Sequence, residues 1–186
     1  MVMLIILGIA AILIIWIISG YNGLITLKNQ TLNGWKQIDV QLKRRHDLIP
    51  NLVETVKGVM KFEQDTLTKV IEARNRAVSA QGVAEKAAQE NALTGTLRQL
   101  FALAENYPDL KSNTNVAKLQ EELSSTENRI GFARQFYNDI ATKFNTAQQT
   151  FPTNLIASTF GFKLLELFEI TVSSEREVPK VDLGLK

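Results

Sequence analysis

The sequence contains no cysteine, so disulfides, thiolate zinc sites, iron–sulfur clusters and cysteine nucleophiles are excluded together. Histidine is nearly absent too: His46 stands alone beside three cations, and no nucleophile lies next to it to complete a catalytic arrangement. Carboxylates such as Glu121, Glu122 and Glu127 have no histidine partner with which to bind a metal. There is also no glycine-rich phosphate loop. We therefore expect no enzyme activity, metal, cofactor or small-molecule substrate.

The sequence also lacks a large excess of either positive or negative charge. The 21 basic and 19 acidic residues give a net charge of +2, which argues against a dedicated nucleic-acid-binding protein. Only four prolines and ten glycines interrupt the 186 residues, and alternating strand patterns are few. The length suits one domain with an appendage, and helix is the expected element throughout.

The first 27 residues carry no charged side chain, and Lys28 is the first. Residues 2–18 are apolar apart from one glycine, and about 18 helical residues at about 1.5 Å each just cross a hydrocarbon core of about 30 Å. Trp16 and Tyr21 lie near the far end of this run, where their amphipathic rings would sit at the membrane interface. A cleaved signal peptide would have a basic start and a small-residue cleavage site, and neither is present. We predict a retained transmembrane anchor over residues 1–21.

Four amphipathic helices are predicted after the anchor, and residues 19–23 (SGYNG) predict a break before them. Pro50 predicts the first break between helices, because proline suits a first turn but costs about 3 kcal/mol in a helix interior. Asp47 would then cap the second helix, and Glu54 would place negative charge in its first turn. One continuous helix kinked at Pro50 is the alternative. The predicted helices cover residues 24–46, 50–79 and 83–106, and a fourth runs from 116 to just before Pro152.

The fourth helix has the most regular pattern, a 3–4 alternation of apolar residues over roughly 35 residues or about 50 Å. A helix of this length with one apolar seam needs partners, and three other amphipathic helices favour an internal bundle over an intermolecular coiled coil. We predict an all-α fold: a single N-terminal transmembrane helix and an antiparallel up-and-down four-helix bundle, residues 22–172. Residues 160–168 would form a short helix across the bundle or on the membrane surface, and residues 173–186 a flexible tail.

Five stretches together have a distinctive order. They are IDVQLKRRHDLIPNLVETVKG after Trp35, YPDLKSNTN (107–115), LQEELSSTENRIGFARQFYND (119–139), FNTAQQTFPTNLIA (144–157) and EVPKVDL (177–183). In this order they closely resemble the LemA family of bacterial membrane-anchored proteins, over essentially residues 21–183. The resemblance implies an N-terminal anchor followed by an up-and-down four-helix bundle. It implies no activity, because no catalytic residues are assigned to the family.

Two positions depart from that family's pattern. Many relatives carry a lipid-attachment cysteine just before the equivalent of Tyr21, and Ser19-Gly20 here excludes lipid attachment. Those lipoproteins place the bundle outside the cytoplasmic membrane, whereas Lys28 and Lys36 after the span favour a cytoplasmic bundle, so the side stays open. Gly34 replaces a small helix-forming residue before Trp35 and predicts a local irregularity.

Charged side chains on the apolar seams are the main candidate site. Arg45 and Arg74 fall on seams, while Glu127 and Arg134 adjoin one, and buried charges usually pair. We expect an ion-pair network that fixes helix register, with a polar pocket for a peptide or a lipid headgroup as the alternative. The full set of candidate structural or interaction residues is Trp35, Arg45, Asp47, Pro50, Asn51, Glu54, Arg74, Glu127, Arg134, Tyr137 and Asn138.

These features favour a non-enzymatic, membrane-tethered helical scaffold or adaptor of the bacterial envelope, single-pass in the cytoplasmic (inner) membrane. Its partners would be the lipid bilayer and either other proteins or further copies of the chain. The alternative is a self-assembling bundle that organises or remodels the membrane itself.

Overall fold

The computed structural model describes residues 1–58, 60 and 63–169. Over these residues the chain is helical and contains no strand, which confirms the all-α class and the long apolar N-terminal helix. The helices are α1 Val2–Lys57, α2 Gln64–Ser79, α3 Val83–Ala104, α4 Pro108–Lys111, α5 Thr114–Gln149 and α6 Thr153–Thr159. The predicted tail, residues 173–186, and the EVPKVDL stretch lie outside the described residues.

Helix α1 is continuous over 56 residues, so the predicted breaks at residues 19–23 and at Pro50 are both wrong. Packing explains the continuity. Leu24, directly after the first predicted break, is buried, and Ile49 and Leu52 are buried on either side of Pro50. Ending the helix at either place would remove apolar side chains from the core, which costs more than glycine or proline does in a helix.

The break between the first two long helices lies at residues 58–63 instead. Met60 in this connection is fully buried, and its amide donates to the carbonyl of Val56 at 2.9 Å. Asp47 therefore lies inside α1 and does not cap a helix that begins at Pro50, and Glu54 lies in the interior of α1, 3.9 Å from Lys57 on the exposed surface. The sequence signal for the true break was Gly58, a poor helix former that directly follows Lys57.

The predictions for the third and fourth helices agree closely with α3 and α5. The chain divides into two compact units. Unit 1 contains residues 1–44 and 125–167, and unit 2 contains residues 45–124 and 168–186. The core of unit 2 is formed by apolar side chains of α1 to α5, including Ile49, Val70 and Leu93, and the main apolar cluster of unit 1 surrounds Leu24 and Phe144.

Residues 160–168 do not form the predicted short helix. The segment turns at Gly161, whose φ is +69°, and residues 162–168, which we call the strap, form neither helix nor strand. Its backbone groups bind side chains of α5: Asn145 donates to the carbonyl of Leu165 and accepts from its amide, both at 2.8 Å. These bonds satisfy the backbone without helix formation, and only Gly161 signals the turn in the sequence.

Candidate functional site

A charged cluster lies inside unit 2. Arg45 on α1 is 1% exposed and Glu90 on α3 is 0% exposed, and Arg45 Nη2 lies 3.0 Å from Glu90 Oε2. The same Nη2 donates to the backbone carbonyl of Glu90 at 2.9 Å. His46 Nε2 lies 2.7 Å from Glu90 Oε1. Together Arg45, His46 and Glu90 form what we call the buried polar cluster, in which Glu90 Oε1 is hydrogen-bonded to His46 and Glu90 Oε2 lies at ion-pair distance from Arg45 but has no hydrogen bond.

Helix geometry explains how the cluster forms. Arg45 and His46 sit on α1 between the buried residues Leu42 and Ile49, so both side chains enter the core side of the helix. Glu90 continues the buried stripe of α3, at spacings of three from Ala87 and Leu93. Sequence reasoning missed Glu90, although this spacing on an apolar face was a signal that could have found it.

Arg74 performs a different task from the one expected of it. Pro50 has no amide hydrogen, so the carbonyl of His46, four residues earlier, loses its usual helical donor. Arg74 Nε on α2 donates to that carbonyl at 3.3 Å, and Arg74 Nη1 donates to Asn75 Oδ1 at 3.2 Å. The guanidinium therefore replaces the donor that proline lacks and links α2 to α1 at this point.

The buried polar cluster is enclosed in unit 2. Oε1 of its carboxylate is hydrogen-bonded to His46, Oε2 is ion-paired with Arg45, and none of its three residues is more than 8% exposed. Removing one partner of such a pair leaves an uncompensated buried charge, at a cost of about 3–5 kcal/mol. Among the described residues, no group of three or more His, Cys, Asp or Glu is placed to hold a metal ion. The cluster thus fixes the register of α1 against α3.

The remaining predicted residues are distributed over both units. Trp35 and Tyr137 form an edge-to-face pair in unit 1, with ring centroids 5.5 Å apart, and Tyr137 donates from its hydroxyl to the carbonyl of Glu166 at 2.8 Å. Burial, and then the negative charge of Glu166, raise the pKa of Tyr137. Glu127, Arg134 and Asn138 are half-buried on α5 in unit 1, whereas Asp47, Pro50, Asn51 and Glu54 are exposed on α1.

An open apolar groove lies on unit 1 and was not predicted. Three of its lining side chains are apolar and exposed: Val40 on α1 at 63%, and Phe132 and Phe136 on α5 at 73% and 42%. Lys36 and Arg129 flank them, one from each helix, and the volume is about 530 Å³. We call this the phenylalanine groove. Exposed aromatic side chains with a charged rim are typical of protein-binding surfaces.

Comparisons with known proteins place these features in a wider context. The model of the LemA family matches residues 34–183. Protein LemA of Metamycoplasma hominis is 29% identical, over 87% of this chain and 72% of that protein. Magnetosome protein MamQ 2 of Paramagnetospirillum magneticum is 26% identical, and Magnetosome protein MamQ of Magnetospirillum gryphiswaldense 24%, each over 80% of this chain. The chain spans 64% of the length of these two magnetosome proteins, less than two thirds.

Proposed function

This chain belongs to the LemA family, and from that membership we propose that it is a non-enzymatic helical scaffold tethered to the bacterial inner membrane by a single span. The span is the N-terminal part of α1, which is long and apolar enough to cross a bilayer. None of its apolar window is buried within the protein, whereas the core helix of a water-soluble protein would be. A hydrocarbon environment accounts for this exposure.

The phenylalanine groove is the observation that carries the scaffold role. Phe132, Phe136 and Val40 expose apolar surface that a partner side chain would remove from water, at about 25 cal/mol per Å². Lys36 and Arg129 at its rim would attract a partner with acidic residues beside its apolar ones. We propose that the groove receives an acidic amphipathic helix of another membrane protein.

The scaffold itself would be an antiparallel up-and-down four-helix bundle formed by α1, α2, α3 and α5. The connections between these helices are short, at residues 58–63, 80–82 and 105–113, and short connections favour antiparallel neighbours. A role without catalysis is supported by the burial of the polar cluster, because none of its three charged or polar residues is more than 8% exposed to a substrate in solution.

Photocrosslinking in native membranes tests the groove. A photoreactive phenylalanine analogue at Phe132 should crosslink a partner, and the same analogue at Leu32 provides the control, because Leu32 is 51% exposed in the same unit but does not line the groove. Arg129→Glu should weaken the crosslink by reversing the rim charge. Identical products from positions 132 and 32, or a yield unaffected by Arg129→Glu, would refute the proposed docking.

A self-assembling bundle that organises or remodels the membrane is the second candidate. The names of the magnetosome relatives give a location and no reaction, which suits this candidate and the scaffold equally. Two identical grooves facing each other would, however, bring the cations Lys36 and Arg129 of both copies together, which opposes symmetric pairing there. Crosslinks at Phe132 that join two copies of this chain would favour this candidate over the scaffold.

The side of the membrane that holds the helical units is measurable because the chain has no cysteine. Ser112→Cys introduces a unique thiol at an exposed position after α4. A membrane-impermeant maleimide should label it in intact spheroplasts if the units face outward. Labelling only after the membrane is opened would place them in the cytoplasm.

A further inference from the structure

One end of unit 1 carries no charge. Two stretches are free of charged side chains, residues 1–27 on α1 and residues 144–162, which include the end of α5 and all of α6. The structure brings them together. Tyr21 packs against Phe160 with tilted rings whose centroids are 4.8 Å apart, and edge-to-face against Phe162 at 5.8 Å. A Cβ on Gly20 would lie 2.5 Å from Ile156 Cδ1, so α6 approaches α1 closely at this glycine.

The contacts along unit 1 fix the depth of this end. Gly34 lies against Phe136 and Tyr137, whereas Leu24 shares a buried cluster with Phe144. Residues further along α5 therefore contact residues closer to the N-terminus of α1. The end of α5 and α6 therefore lie level with the end of the apolar run of α1. Gly20 and Tyr21 are only about 3–5 Å beyond Ile18 at about 1.5 Å per residue, which is the depth of the lipid headgroups.

Four large apolar side chains are exposed around α6: Phe151 at 75%, Leu155 at 55%, Phe160 at 54% and Leu164 at 58%. We propose that these residues, the α6 patch, insert into the interfacial layer of the same membrane that α1 spans. This inference rests on the proposed membrane anchor. Apolar faces of surface helices enter a bilayer to a depth of about 5–10 Å, which the α6 patch can reach from its position beside Tyr21.

A lysine stands at each point where the two uncharged stretches join the rest of unit 1. Lys28 follows the first stretch, and Lys143 and Lys163 bracket the second. All three are exposed, and none has an ion-pair partner among the described residues. An apolar surface with lysines around it suits a bilayer whose headgroups are anionic, because apolar side chains meet acyl chains while ammonium groups meet phosphates. The occupant is therefore an anionic lipid surface.

Depth-dependent quenching tests the insertion on the full chain reconstituted in vesicles. Leu155→Cys and Leu32→Cys each receive an environment-sensitive fluorophore; the two leucines are matched, with exposures of 55% and 51%, but only Leu155 is in the α6 patch. The vesicles contain phosphatidylcholine and phosphatidylglycerol at 3:1, with a nitroxide near the top of some acyl chains. The label at 155 should be quenched strongly and the label at 32 weakly.

A second set of samples tests whether insertion requires anionic headgroups. Replacing phosphatidylglycerol by phosphatidylcholine, or changing Lys28, Lys143 and Lys163 together to glutamine, should reduce quenching at 155. Equal quenching in all of these samples would overturn the anionic preference.

Equal quenching at 155 and 32 would overturn the insertion, and a blue-shifted but unquenched label at 155 would overturn it in favour of protein contact. Protein that does not float with the vesicles would instead refute the anchor, so failure of this inference and failure of the proposed function are distinguishable.

Discussion

The hydrogen bond between Arg74 and the carbonyl of His46 should be coupled to Pro50. Proline at position 50 removes the amide that would serve this carbonyl, and Arg74 Nε supplies a donor at 3.3 Å. A hydrogen bond from a charged group contributes about 1.5–3 kcal/mol. Because this one is long and Arg74 is half-buried, we expect Arg74→Met to lower the free energy of unfolding by about 1–2 kcal/mol.

Pro50→Ala changes that expectation. Alanine restores the amide at position 50, which can bond to His46 within the helix, and Pro50 is exposed, so little packing is lost. In this background Arg74→Met should cost only a few tenths of a kcal/mol, which gives a coupling energy of about 1 kcal/mol. The bond from Arg74 to Asn75 is lost in both backgrounds and cancels from the cycle.

Urea denaturation of the four proteins in mild detergent, followed by circular dichroism, measures the cycle. Arg76→Met is the matched control, because Arg76 lies on the same helix, is exposed and makes only a 4.0 Å ion pair with Glu72. We expect it to cost less than about 0.5 kcal/mol in either background. An equal cost of Arg74→Met with proline and with alanine at position 50 would show that Arg74 does not replace the missing amide.

Three further predictions use the same denaturation assay. Glu90→Leu should cost about 3–5 kcal/mol by leaving the Arg45 guanidinium buried without its carboxylate, while Arg45→Met/Glu90→Leu should cost much less; additive losses would contradict the ion pair. Gly34→Leu should cost about 1–3 kcal/mol, since a Cβ there already meets Phe136 at 3.3 Å, whereas Gly95→Ala, with open space around it, should stabilise α3 by about 1 kcal/mol. Because the pKa of Tyr137 is raised in the folded state, stability should hold below the unfolded pKa of about 10 and fall as the pH rises through the folded value. Tyr137→Phe should remove part of that alkaline loss and leave the part due to Tyr107, whose pKa is raised by burial and then by its hydrogen bond to Glu63; an unchanged pH profile would contradict this assignment.

The spacing of apolar residues correctly predicted those helices whose extent is determined by residues within the helix and at its ends. Helices α3 and α5 follow their apolar spacing, and their ends lie at turn-forming residues, so the sequence alone located them within a few residues. The apolar N-terminal run was equally clear. In each case the information sits within one stretch of chain, which is what a pattern can report.

The errors at Pro50 and at the strap have one physical cause, which is compensation from residues distant in sequence. Pro50 indicated a helix boundary, yet Arg74, 24 positions later, donates to the His46 carbonyl that proline leaves without a helical donor. The strap was predicted as a helix, yet Asn145, about 20 positions earlier, satisfies its backbone. Glu90 is different: its place on an apolar stripe was visible in the sequence, although its partners Arg45 and His46 were not.

The way in which the strap is held has a consequence for exchange between molecules. Tyr137, Asn145 and Gln148 bind the carbonyls of Glu166, Leu165 and Lys163, and Phe162 packs against Tyr21 and Phe144, so backbone and side-chain contacts together hold the strap. The strap of a second copy would offer the same groups to the same partners. What keeps each strap on its own α5 is the short connection through α6, which holds it at high effective concentration. Lengthening that connection should favour exchange of the strap between two copies of the chain.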